Sequence, residues 1–352
     1  MSKDIILTVD YHDENCVIRR RDEATGEESV QTVPTTATAL EKVVQAGMKV
    51  AKRRHGQVVW IQESTTGWAR VQGLLGERVK FLLANVVQMP QPPKAVRRKT
   101  DRLDTARLQR EYLNGQLPLA HQPPAWWRQV RRLVGWRENL VNRRTALRNW
   151  INRYLAHETW EGRANLWSGK GQAHLRKVAA GLPGCDGAIL ERKLDELDRL
   201  AEQMSWAEVQ LHEVYGEWPA AQRIDAVRGI GVIAAVSIAA RIGPIERFGN
   251  AEQLIAFAGL APGVRQSDAT RRDGRIGGGG TDRHLRHYLI EATVWARQIP
   301  RYQATYERVA RRRGKKIGRL VVGRLLLRSI YKVLRDGVAF EGEATKTSAA
   351  TS

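Results

Sequence analysis

Cysteine is almost missing from this 352-residue chain: Cys16 and Cys185 are the only two, and they lie far apart. That usage excludes a disulfide framework and suits a reducing compartment with both thiols buried. No Cys/His grouping has the spacing of a zinc site. No apolar run approaches the length of a membrane span, and the first residues lack the pattern of a signal peptide. Acid is the other shortage, with 37 Asp+Glu against 58 Lys+Arg, a formal charge of +21 and a pI near 10.5. An excess that large predicts attraction to a polyanion and says nothing of the fold. Basic residues recur in every region instead of concentrating on one amphipathic helix, which favours nucleic acid over a membrane surface. The expected location is cytoplasmic and nucleoid-associated, of bacterial type, with no membrane partner.

What is present sorts into three regions and a tail. Ile5-Ile6-Leu7-Thr8-Val9 reads as a buried strand with Asp10 at its C-terminal tip. Cys16 to Arg21 and Ser29 to Val33 read as the next two strands, joined through a turn at Ala24-Thr25-Gly26-Glu27. Leu40, Val43, Val44, Met48 and Ala51 follow helical spacing. A strand over Gln57–Ile61 follows, with Glu63 just past it, then a helix capped by Thr66 and a fifth strand over Val79–Leu83. Three meandering strands followed by alternating helix and strand predict one mixed sheet with helices on its faces, an α/β class. Ligands gather at the carboxyl ends of such strands, where Asp10 and Glu63 sit. We place this domain at residues 1–115.

Residues 116–223 read as a helical, coiled-coil linker and oligomerisation region. Leu133, Trp136, Leu140, Leu147, Trp150 and Tyr154 recur three and four apart, as do Leu190, Leu194, Leu197, Ala201, Met204 and Leu211. Two long helices with a smaller piece between them fit an antiparallel or intermolecular coiled coil. Arg128, Arg131, Arg132, Arg137, Arg144, Arg148 and Arg153 face outward in this reading, as a solvated face or, with Trp126, Trp127, Trp136, Trp150, Trp160 and Trp167 among them, as a nucleic-acid surface.

Residues 224–340 read as a mainly helical C-terminal domain and 341–352 as a disordered tail. Gly229-Ile230-Gly231 resembles a helix–hairpin–helix turn, a phosphate contact or an ordinary αα turn. Ser267 lies in an Arg-lined loop with Arg265, Arg271, Arg272 and Arg275, before Gly277 to Gly280; it suits a phosphate ligand, a cap or a nucleophile. His284 and His287 are available as bases. Arg311 to Arg335 holds ten Lys/Arg and no acid, interleaved with apolar residues, and reads as one basic amphipathic helix with a phosphate-contacting face.

The stretch Lys99 to Leu108 joins these regions. Asp101 and Asp104 lie three apart on one helix face, with Leu103 and Leu108 available for packing and Arg97, Arg98, Lys99, Arg102, Arg107 and Arg110 around them. Paired carboxylates inside a basic rim suit either a divalent metal where a phosphate backbone is cut, or an ordinary solvated acid pair at a helix start.

In order and separation, Asp10, Glu63, Asp101 and Asp104 resemble the DEDD set of RuvC-like, ribonuclease H-like nuclease domains. Gly259-Leu260-Ala261-Pro262, Ser267 and the Arg271 to Arg286 stretch resemble the C-terminal domain of the insertion-sequence "one-ten" family of transposases. The resemblance covers nearly the whole chain and implies a bridge-RNA-guided recombinase. In that family a structured non-coding RNA pairs with donor and target DNA, the four acids bind Mg²⁺, and a serine attacks the scissile phosphate to leave a covalent phosphoserine. Carried over, Asp10, Glu63, Asp101 and Asp104 are the metal ligands and Ser267 the nucleophile. Lys99, Arg102, Arg148, Arg265, Arg271, Arg272, Arg275, Arg283 and Arg286 are the nucleic-acid contacts. The resemblance also implies a homo-oligomer, a tetramer made of dimers, whose active sites draw both domains from different subunits. Two departures stand out: Asp268 follows the serine where the family often has Gly, and Gly277 to Gly280 replace usual basic residues. The competing functions are a RuvC-like endonuclease that uses metal-activated water, and a nucleic-acid-binding scaffold without catalysis.

Overall fold

Strand β1 (Ile5–Tyr11) is apolar at both parities, so it needs cover on two faces, and it receives it. The computed structural model describes residues 3–90, 101–158, 165–267, 270–276 and 281–340, with backbone alone over 262–276. The chain divides into two units, Met1–Gln122 and Pro123–Ser352.

In the first unit β1, β2 (Asn15–Asp22), β3 (Glu28–Pro34), β4 (Val58–Glu63) and β5 (Lys80–Ala84) form one mixed sheet in the order β3-β2-β1-β4-β5. β1 runs antiparallel to β2 and parallel to β4. Ile5, Leu7 and Val9 pack with Trp60 against α1 (Ala37–Lys52) and α2 (Trp68–Leu75), through Leu40, Val44, Val71 and Leu75. Ile6, Val59 and Ile61 pack on the opposite face with Leu108 of α3 (Asp101–Leu113). The sheet expected from the strand pattern is therefore present, and α3 covers the face that carries Asp10. Two local expectations differ. Thr66 does not cap α2; the helix starts after Gly67, whose φ of +87° and contact with the Tyr11 ring leave no room for a Cβ. The chain beyond residue 115 stays with the sheet, through the Ala84↔Leu119 bridge and the bond from the Ala120 N–H to the Leu83 carbonyl.

In the second unit α4 (Ala125–Glu158), α5 (Gly169–Gly181) and α6 (Gly184–Gly216) pack together within the chain. The pairs Arg137–Glu208 and Arg143–Glu196 run in opposite sequence directions, so α4 and α6 are antiparallel. Their buried register is Leu140, Leu147, Ile151 and Leu155 against Leu190, Leu194, Leu197, Leu200 and Met204. Trp136 and Trp150, expected in that seam, lie exposed on its flank; Trp136 packs edge-on against Trp206, and Trp150 stacks on Tyr154. Leu200 takes the buried place expected of Ala201. Nor do the α4 arginines form a uniformly free outer face: Arg131 donates to the Ala240 carbonyl, Arg137 grips Glu208, and Arg148 lies 4.9 Å over the Trp167 ring. Cys185, expected to be buried, is exposed, whereas Cys16 is buried.

The ends of α4 and α6 share a core with α7 (Pro219–Asp225), α8 (Val232–Ile242), α9 (Ala251–Phe257), α10 (Arg283–Ala296), α11 (Pro300–Arg313) and α12 (Lys315–Arg335). The run Arg311 to Arg335 is not one helix: Gly314, at φ +87°, reverses the chain between α11 and α12. Gly229, at φ +92°, sits so close to Ala292 and Trp295 that a Cβ would lie 2.9 Å away, so packing against α10 accounts for the glycine. Residues expected in a loop form a ribbon of β6 (Pro262–Ser267) and β7 (Thr270–Ile276). Among the described residues no helix is long and apolar enough to cross a membrane.

Candidate active site

Two backbone devices bring acids to one end of the sheet. The β1/β4 ladder runs from Ile5↔Val58 to Val9↔Gln62, so Asp10 and Glu63 are the next residues on adjacent parallel strands. Both follow the parity of Ile6 and Ile61, which face α3. The second device is α3 itself. Leu108 and Thr105 are buried beneath it, Gln109 donates to Glu28 at 2.7 Å, and Arg19 donates to the Arg102 carbonyl at 3.3 Å. These contacts lay the first turn, with Asp101 and Asp104, over the end of β1. Of the two leucines available for packing, Leu108 is buried and Leu103 is 50% exposed.

Asp10 and Asp101 meet at His12, a residue that no sequence motif marks. His12 Nε2 lies 3.4 Å from Asp10 Oδ2 and 3.7 Å from Asp101 Oδ2. One ligand atom from each of these three residues falls within 4.8 Å of the others. The Asp10 side chain is largely buried, at 13% exposure, while His12 and Asp101 are more than half exposed. Burial pushes the Asp10 carboxyl above its ordinary value; His12 opposes that, and the negative charges of Asp101 and Asp104 add to it. Asp104 is thus felt electrostatically while standing, with Glu63, outside the tight grouping. The donor set, carboxylate oxygens open to solvent on one side, suits a hard divalent cation with several waters. The signal for His12 was its place two residues beyond Asp10, at the start of the Tyr11-His12-Asp13-Glu14 turn.

Ser267 is the last residue of β6, opposite Thr270 across the turn of the ribbon; Arg265 stands opposite Arg272 and Gln266 opposite Arg271. Arg275 lies farther along β7. Asp268, Lys99 and Gly277 to Gly280 lie outside the described residues. Arg283 and Arg286 occupy the first turn of α10, which Asp282 caps by accepting from the His284 and Leu285 N–H groups. Arg102 is exposed on α3. His284 Nδ1 is 2.6 Å from Glu138 Oε2, and His287 is 3.7 Å from Glu291.

Comparison with known proteins adds an independent finding. Residues 8–158 match the DEDD domain of IS110-type transposases, and residues 221–307 match a domain described as Transposase IS116/IS110/IS902 family. A protein of Pseudomonas aeruginosa named as a family 20 transposase is 32% identical over 44% of this chain and 46% of its own length. Two Sinorhizobium fredii proteins, named transposases y4rJ and y4qE, are 28% and 27% identical. Those matches cover 78% and 58% of this chain, and 76% and 49% of the respective relatives. The match therefore spans about half the length of the first relative and about three quarters of the second.

Proposed function

This chain belongs to the IS110/IS116/IS902 family of transposases, and from that premise we propose that it is a DNA recombinase, cutting and rejoining donor and target DNA under the guidance of a structured bridge RNA. The observation that carries the reading is the convergence of Asp10, at the tip of a buried strand, with Asp101, in the first turn of a helix far along the chain. We read the five-stranded sheet as RuvC-like, and Asp10, Glu63, Asp101 and Asp104 as the residues that hold a divalent ion, Mg²⁺. Bound there, such an ion supplies a Lewis acid that polarises the scissile phosphate and eases deprotonation of a hydroxyl. The acids fit it on electrostatic grounds: burial and neighbouring carboxylates disfavour the charge on Asp10 unless a cation offsets it.

Ser267 is the nucleophile in this reading. Its Oγ–P bond forms as the bond from phosphorus to the departing sugar oxygen breaks, and the serine proton ends on that oxygen. The number of phosphoester bonds is unchanged, so rejoining needs no ATP. The bases flanking the serine by register, Arg265, Arg271 and Arg272, together with Arg275, Arg283 and Arg286, neutralise phosphate charge. Lys99, Arg102 and Arg148 are the remaining nucleic-acid contacts in this reading. A homo-oligomer, dimeric and then tetrameric with both DNAs, is the assembly this reading expects.

The test is to trap and map a protein–DNA adduct with the full chain, its co-purifying RNA and Mg²⁺. Ser267→Ala should abolish the adduct and strand joining while leaving RNA binding intact. Asp10→Asn should slow cleavage by on the order of 100-fold or more, the loss of several kcal/mol of charge stabilisation. Cleavage that persists in Ser267→Ala and is lost in Asp10→Asn would replace this reading with a nuclease that uses activated water.

A further inference from the structure

We propose that His12 is a nitrogen ligand in the acidic site and biases that site toward Mn²⁺ over Mg²⁺. The inference rests on the metal-site reading above and adds a donor of a different kind. Its Nε2 stands 3.4 Å from an oxygen of Asp10 and 3.7 Å from an oxygen of Asp101. Ligands of one octahedral ion with bonds of about 2.1 Å lie about 3.0 Å apart when adjacent and about 4.2 Å apart when opposite. The three atoms, all within 4.8 Å of one another, need only small side-chain rotations to share an ion.

The backbone holds His12 in place for this. β1 and β2 pair to Tyr11↔Cys16, leaving His12 in the connecting turn. Thr35 Oγ1 donates to the His12 carbonyl at 2.7 Å, and the Thr35 N–H donates to the Glu14 carbonyl at 2.8 Å. The turn is thereby tied to the segment after β3, while the imidazole is 56% exposed and open to water. Magnesium prefers oxygen ligands and keeps its waters, whereas imidazole suits transition ions. One imidazole among carboxylates therefore raises Mn²⁺ affinity and leaves Mg²⁺ nearly untouched. The simpler role, a cation paired with two aspartates, makes the opposite prediction, because the histidine would then compete with the ion.

The full chain, free of nucleic acid, is titrated with MnCl₂ and with MgCl₂ by calorimetry, and the Mn²⁺ complex is examined by electron spin echo modulation. The wild type should show imidazole nitrogen coupling to Mn²⁺. His12→Ala should lose the coupling and bind Mn²⁺ about tenfold or more weakly, with Mg²⁺ affinity changed less than about threefold. Wild-type Mn²⁺ without nitrogen coupling overturns the proposal without needing the variant to fold. A His12→Ala protein that binds both ions as well as the wild type, or better, overturns it too while leaving the acidic site standing. Failure of the wild type to bind either ion removes the metal-site reading itself and the inference with it.

Discussion

At the scale of single residues, Asp10 is a carboxylate whose surroundings disfavour its charge. Its raised pKa means the folded state holds that proton more tightly than the unfolded chain does. Without a divalent ion, stability therefore falls as pH rises from the ordinary value of 3.8 through the raised one. Asp10→Asn should raise the metal-free melting temperature at pH 7 by about 2–4 °C, and the difference should vanish below pH 3.8. Thermal scans at both pH values, with and without a divalent ion, check it. An Asp10→Asn protein less stable than the metal-free wild type at pH 7 would show that the carboxylate is held by partners and not strained by neighbours. Asp10 and Asp101 were legible in the sequence because strand ends and helix starts are read from local patterning. His12 was not, since a turn histidine gains meaning only when a helix far along the chain lays an acid beside it. The same holds for Leu103 and Leu108: helical spacing makes both available for packing, and only the sheet decides which is covered.

At the scale of elements, α3 is the part on which the acidic cluster depends. It is a polar helix with little apolar surface, so polar contacts help to fix it: buried Leu108, Thr105 and Gln109 are joined by the link through Glu28 and by Arg19 on the Arg102 carbonyl. Burial alone would raise the Glu28 carboxyl, but hydrogen bonds from Arg21, Gln109 and Arg19 outweigh it and hold the group below its ordinary value. That contribution to stability is present above pH 4.5 and is lost as pH falls through the lowered value. Leu108→Ala should cost about 2–5 kcal/mol in the first unit and weaken divalent-ion binding, since Asp101 and Asp104 ride on the same helix. Denaturant melts and ion titration together check this. Tight ion binding by a destabilised Leu108→Ala protein would mean that α3 does not position the acids. The mixed sheet was readable because β1 and β4 carry near-continuous apolar runs, whereas its strand order was not. The coiled-coil seam lies slightly off the expected register, because three- and four-residue spacing alone does not separate the seam from its flank. Tryptophans at positions 136, 150 and 206 instead lie on the flanks, where a large ring covers the seam and keeps one edge in water.

At the scale of the whole molecule, the net charge of +21 overstates what is available to a polyanion. Several arginines are structural. Arg131 donates to the Ala240 carbonyl, Arg324 to the Leu260 carbonyl, and Arg247 to the Ile242 carbonyl while lying over Phe248 and Phe257. Burial and the nearby Arg131 push Arg247 down to about 10. Around Gly314 the situation differs: Arg312, Arg313, Lys315 and Lys316 are all exposed at the tip between α11 and α12. These two groups separate under salt. Affinity for a DNA duplex should fall linearly on a logarithmic salt scale, with a slope set by the number of phosphates neutralised. Replacing Arg312, Arg313, Lys315 and Lys316 together by Ala should flatten that slope by about 1 to 4 and leave the melting temperature unchanged. Arg247→Ala should do the reverse, lowering the melting temperature and keeping the slope, because what it loses is a buried hydrogen bond and packing on two rings. Fluorescence anisotropy across a salt series, paired with thermal melts, distinguishes the two. An unchanged slope in the fourfold variant would place the binding charge elsewhere, with the β6/β7 ribbon arginines next to be examined in the same way.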